Sequence, residues 1–284
     1  MPVAPPTTAG PPTPAHRTLG RNLPAAIAVG LGLATLFLAT LFIHPVAFLI
    51  FIAVMVTLAL FELDRAFRSK GLQPAMSVAL AAGLVLFFGA HAGGPGAQSA
   101  GLALLVVGAA AWALLNRDVQ RPASSMGVTC LMVLWVPFLA SYIGLLLARP
   151  QGEWFVMATV ALTVSSDIGA FAFGSRYGRH KLAPSVSPAK SWEGFAGGLA
   201  TALILAASVT AHVPGFTWST ALALAVGVCV AATIGDLAES MVKRDLDVKD
   251  LGGILPGHGG IMERADAIIF ALPAAHLLLL ALGS

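Results

Sequence analysis

The sequence predicts an all-α polytopic integral membrane protein of about nine transmembrane helices, with its N-terminus in the cytoplasm and its C-terminus outside. Three observations carry that prediction. Of the 284 residues, 57% are hydrophobic and only 10% charged, whereas soluble domains carry about 25% charged residues and could not bury so much apolar surface in one aqueous core. Apolar windows near the length of about 20 residues that a helix needs to cross hydrocarbon recur along the chain. Lys and Arg gather in alternate connections, as they do on the cytoplasmic side of membranes.

Residues 1–22, rich in Pro, Thr and Gly, read as a disordered tail. They do not read as a signal peptide, because the apolar stretch starts only at Leu23 and runs straight into another, so the first span is expected to be retained. The windows then fall at 23–43, 45–61, 75–92, 97–115, 127–147, 154–173, 194–212, 217–237 and 267–283. Residues 23–150 form an N-terminal transmembrane region and 151–284 a C-terminal one. With the N-terminus inside, fifteen of the sixteen bases fall in cytoplasmic segments and only Arg149 lies outside. The outside turns at His44, 93–97, 149–153 and 212–216 carry almost no charge. Polar chemistry concentrates in the cytoplasmic segments 174–193 and 238–266.

The charge balance, 16 Lys and Arg against 13 Asp and Glu, gives +3 without a basic face, so nucleic acid is not an expected partner. Cys130 and Cys229 sit inside apolar runs, which excludes a disulfide scaffold or a zinc site.

Asp167 stands six residues before Phe173, about 9 Å below the cytoplasmic end of its span at 1.5 Å per residue. A carboxylate at such depth costs about 2.5–3.5 kcal/mol, so it should face a partner or a polar cavity. A second cluster, residues 235–266, holds seven of the thirteen acids. On a helix, Asp236, Glu239, Ser240 and Lys243 share one face, and Glu263 and Asp266 share a face at the start of the last span. Such carboxylates suit a hard divalent cation, since Mg²⁺ takes one or two carboxylates, several waters and substrate phosphates. Helix-end electrostatics offers another account of Glu263 and Asp266, and membrane anchoring another for Lys243 and Arg244. Between the helix ends, LGGILPGHGGIM (251–262) has the glycines of a phosphate cradle, with His258 as a base, a phosphate donor or a solvated loop residue. The segment 174–193 has the opposite sign: Arg176, Arg179, Lys181 and Lys190 against Glu193. One segment suits cations, the other anions.

At these residues the sequence resembles the phosphatidate cytidylyltransferases, also called CDP-diacylglycerol synthases. The signature appears as Ser240, Lys243-Arg244, Lys249-Asp250, Gly252, Pro256, His258-Gly259-Gly260, Glu263-Arg264 and Asp266, preceded by Gly235-Asp236. Asp167, Gly174, Arg176, Gly178, Leu182, Ser187-Pro188, Lys190 and Trp192-Glu193-Gly194 also look like family features. The family usually has Asp at the position of Glu263 and a larger apolar residue at that of Ala265. The resemblance implies transfer of a cytidylyl group from CTP to phosphatidate in a bacterial inner (plasma) membrane, with the active site on the cytoplasmic face. It implies Mg²⁺, with room for a second metal ion, and a homodimer is an open alternative. On this reading Asp236, Glu263 and Asp266 take metal, with Asp167 in support. Asp236, Lys243, Arg244, His258 and Asp266 form the catalytic group, and Ser187, Lys190, Ser240, Lys249, Asp250 and Arg264 contact substrate. The rival reading is an ion-coupled secondary transporter using Asp167 and Asp236.

Overall fold

A computed structural model describes residues 23–210, 216–254 and 259–283. The expected tail, 1–22, and His258 lie outside the described residues. The chain is built from helices α1 (Leu23–Ile43), α2 (Pro45–Ser69), α3 (Met76–Leu115), α4 (Pro122–Val133), α5 (Leu139–Leu147), α6 (Gly152–Tyr177), α7 (Trp192–Thr210), α8 (Trp218–Asp245) and α9 (Met262–Ala281). A π-turn over Leu134–Phe138, which contains Pro137, joins α4 to α5 into one continuous rod. Among the described residues six helices are long and apolar enough to cross a membrane, counting α3 once and α4 with α5 as one.

Helix ends follow local chemistry. At the start of α2, Pro45 occupies the first turn and the His44 ring accepts from the Val46 amide at 3.1 Å. Thr217 caps α8 by accepting from the Thr220 amide at 3.2 Å. Several helices run past their hydropathy windows. α2 continues beyond residue 61 because Glu62, Leu63, Asp64 and Arg65 are compatible with helix and Asp64 pairs with Arg68 at 2.8 Å. α8 likewise carries Lys243 and Arg244 on helix rather than in a loop.

α3 is a helical hairpin. Gly94 has φ +60°, ψ −149°, with Pro95 after it, and the chain reverses there. Gly108 lies against Val78, where an added Cβ would sit 3.0 Å from a Val78 methyl, and Gly101 lies against Leu86. The Gln120 amide bonds the Gln73 side chain at 3.1 Å, so the segments flanking α3 meet. The windows 75–92 and 97–115 with a turn at 93–97 match this hairpin.

The architecture is helical as expected, with one short addition. Segment 174–193 is not an irregular loop: α6 fills its start, and β1 (Lys181–Ala183) pairs antiparallel with β2 (Ser187–Ser191), Lys181 opposite Ser191 and Ala183 opposite Ser187. The sheet has two strands, so Pro188 lies on an edge strand, where a missing N–H is tolerated. β2 feeds into α7, whose first turn is capped by Ser191 Oγ accepting from the Gly194 amide at 3.1 Å.

α9 packs against α8, α6 and α5. α6 and α7 approach backbone to backbone through small residues: a Cβ on Gly198 would lie 2.6 Å from the Ser166 carbonyl, and Thr201 Oγ1 donates to the Ser165 carbonyl at 2.9 Å.

Candidate active site

The cation-rich and anion-rich segments meet. The β1–β2 hairpin leans on the end of α8, where Arg244 Nε donates to the Val186 carbonyl at 3.4 Å. Strand β2 thereby carries Lys190 to Asp236 on α8, and the two form an ion pair. Beside this pair opens a cavity of about 360 Å³, walled by α6, α7, α8 and the hairpin. Asp167, Lys190 and Asp236 supply its charge; Phe171, Phe195 and Ala170 supply an apolar wall.

Behind the cavity stand two more carboxylates. Glu239, 1% exposed, pairs with Lys243 one helical turn on at 3.3 Å, and it lies beside Asp266 at the start of α9. Asp266 Oδ1 also accepts from the Ala267 amide at 2.8 Å. Asp167 is within electrostatic reach of Asp236, Asp266 and Lys190. Five of the sequence-predicted residues, Asp167, Lys190, Asp236, Lys243 and Asp266, thus belong to one charged cluster. Ser187 and Arg244 belong to the hairpin contact and the adjacent helix end, and Ser240 is half-buried on α8. Lys249 and Asp250 are exposed on the loop after α8, and Arg264 is exposed on the first turn of α9.

Glu263 turns into that loop: Oε1 accepts from the Leu251 amide at 2.5 Å, and Oε2 is buried without a hydrogen-bond partner. Glu239 Oε1 is buried and unpartnered as well. Among the described residues no group of three or more His, Cys, Asp and Glu is placed to hold a metal ion by itself. Mg²⁺ asks less, since one or two carboxylates suffice when water and phosphate complete the shell. Hard oxygen donors with unsatisfied buried atoms fit such a cation.

Outside the spans, Glu193 accepts from the Arg179 and His180 amides at 3.1 and 3.2 Å and pairs with the His180 ring at 2.5 Å. The His180 hydrogen bond, with these amides, holds its carboxyl below the usual carboxylate range. This contact ties the end of α6 to the start of α7.

Sequence reasoning missed Glu62. It lies on α2, 1% exposed, and accepts from the amides of Ile254, Ile261 and Met262 at 3.3, 2.7 and 3.2 Å. Its one sequence signal was an acid directly after an apolar window.

Long apolar helices, with most of their charged residues collected at one end around a partly apolar cavity, define a multi-pass membrane protein with a charged site. The chain belongs to the cytidylyltransferase family, whose sequence profile matches residues 24–282. It is 35% identical to the phosphatidate cytidylyltransferase of Mycobacterium bovis over 274 residues, covering 92% of this chain and 89% of that one. The phosphatidate cytidylyltransferase of Mycobacterium leprae is 37% identical over 270 residues, 88% of this chain and 85% of that protein. That of Bacillus subtilis is 41% identical over 130 residues, 45% of this chain and 48% of its own.

Proposed function

We propose that this protein transfers the cytidylyl group of CTP to phosphatidate, giving CDP-diacylglycerol and pyrophosphate, at the cytoplasmic face of a bacterial inner membrane. The observation that carries the reading is the meeting of two oppositely charged segments over one cavity, joined by Lys190 and Asp236. Joining a nucleotide to a lipid phosphate needs cations for the phosphates, hard oxygen donors, and an apolar wall for the lipid. The names of the relatives support the substrates. The transporter alternative is not supported: the match is to an enzyme family, and Asp236 sits on the unbroken helix α8 rather than on a broken one.

A phosphatidate oxygen attacks the α-phosphorus of CTP in line, and the bond to the β-phosphate breaks as pyrophosphate leaves. The chain's part is placement and charge. Lys190, Lys243, Arg244 and Arg264 hold phosphate oxygens, with Ser187, Ser240, Lys249 and Asp250 as further substrate contacts and His258 as a proton donor or base. Asp236 and Asp266 would hold Mg²⁺, with Asp167 and Glu263 alongside, and the cation would supply positive charge for the phosphates. Purified protein in detergent should form a lipid nucleotide from CTP and phosphatidate without a second compartment, and EDTA should abolish the product. No lipid nucleotide under these conditions overturns the reading.

Glu263 gives a sharper test. A glutamine side chain at this position keeps an oxygen for the Leu251 amide but carries no charge. Glu263→Gln is therefore expected to fold normally, to lose at least about tenfold in turnover and to need more Mg²⁺ for half-maximal rate. Normal turnover at limiting Mg²⁺ removes Glu263 from the metal set and leaves it a loop-closing residue.

The topology proposed is nine crossings, N-terminus in and C-terminus out. The hairpin shape of α3 supports two crossings there, and α1 and α7 supply shorter apolar helices. Cys introduced at Ser69 or Ser185 should react with an impermeant thiol reagent only after the cytoplasmic face is opened, and at Gly94 in intact cells. The native Cys130 and Cys229, half-buried and buried, leave the background low. Labelling of all three positions from outside contradicts this arrangement.

A further inference from the structure

We propose that Glu62 is a positioning residue for the reaction: from α2 it fixes the glycine-rich loop and the first turn of α9, and thereby the place of Asp266. The inference rests on the cytidylyl-transfer reading for its activity assay, and on geometry for everything else.

α9 begins without a cap of its own. Its preceding residue, Ile261, offers no side-chain hydrogen bond to the first turn, and a buried helix start with open amides is costly. Glu62 fills that role from 199 residues away in sequence, taking the Ile261 amide at 2.7 Å and the Met262 amide at 3.2 Å. A carboxylate at a helix N-terminus also meets the positive end of the helix dipole. The Ile254 amide, on the far side of the loop, bonds the other oxygen at 3.3 Å. One side chain therefore holds the connection within its glycine-rich stretch, at Ile254, and where it enters α9.

The loop is shaped around that carboxylate. A Cβ on Gly252 would overlap the Glu62 carboxyl carbon, and one on Gly260 would lie 2.7 Å from Glu62 Oε2. At either position a methyl would displace the Glu62 carboxylate, and at Gly260 the Glu263 carboxylate as well. Gly260 also abuts Glu263, and Asp266 follows one turn into α9. Loosening Glu62 shifts the turn that carries Asp266 without touching substrate directly.

The test uses the full-length protein in detergent, with turnover, KM for both substrates, melting temperature and amide hydrogen exchange measured on each variant. Glu62→Ala is expected to lower kcat about 10–100-fold, with KM for phosphatidate changed less than about threefold, and to speed exchange at Ile254, Ile261 and Met262. Glu62→Gln, whose amide oxygen accepts the same N–H groups, is expected to restore turnover to within about fivefold of the parent and to restore slow exchange. Gly252→Ala should lower kcat about tenfold in the parent and add no further loss in the Glu62→Ala background, where the methyl has room. Full turnover per folded molecule in Glu62→Ala, or additive losses in the double variant, overturns the proposal. If Glu62→Ala does not fold, equal and large losses in Glu62→Gln overturn it. Absence of lipid nucleotide with the parent protein overturns the functional reading alone, because the exchange measurement still tests the Glu62 contacts.

Discussion

Replacing Asp236 by Asn is expected to lower CDP-diacylglycerol formation by about 10³-fold, the scale on which removal of a preorganised electrostatic partner acts. The side chain is partly exposed and its partner is Lys190 on β2, so the fold should survive with little loss of stability. Asp266→Asn should be equally inactive, and its stability should also change little. Asp266 is 8% exposed and lies beside Glu239, 1% exposed, and an asparagine keeps an oxygen for the Ala267 amide and an N–H for the Glu239 carboxylate. Incorporation of labelled CTP into lipid, read beside the melting temperature, separates the two quantities. Retained turnover in either variant removes that residue from the chemistry.

Gly198→Ala is the second large effect. The new methyl would meet the Ser166 carbonyl oxygen at 2.6 Å, and backbone cannot swing aside as a side chain can. α6 and α7 must part, costing about 1–3 kcal/mol by overpacking, and the cavity wall that carries Asp167 moves with them. Both the melting temperature and the turnover should fall. Gly127→Ala is the control: it lies on α4 with nothing within 4 Å of its Cβ position, so the substitution should stabilise by about 0.5–1 kcal/mol through helix propensity. If the two variants melt alike, close contact does not hold α6 to α7.

Much of this architecture was legible in the residues. Hydropathy located the apolar helices, because burial in lipid acts on each segment independently. GGPGA announced the reversal inside α3, since Gly94 needs a positive φ. The signature acids could be assigned to one cluster because Asp236 and Glu239 repeat at helical spacing on α8 and Asp266 opens the next helix. What stayed hidden depends on tertiary contact. Glu62 looked like the polar end of a span until the loop some 200 residues later folded onto it. The β1–β2 hairpin was hidden by its shortness and by Pro188, which argues against strand in any local reading. Glu263 read as a metal ligand or a helix-end acid, because nothing in its spacing reveals the Leu251 amide.

The hairpin of α3 also bears on how the chain enters a bilayer. Its tip, His91 to Gln98, holds no Lys, Arg, Asp or Glu, while Arg65, Arg68 and Lys70 precede the element and Arg117 and Arg121 follow it. A segment with an uncharged apex and basic feet can be threaded as a single looped unit, since no ion has to be carried through hydrocarbon. On the proposed topology, this region needs no separate export and return of two helices. On that topology the single change Ala97→Arg would put a charge on the travelling apex and is expected to slow insertion of the pair.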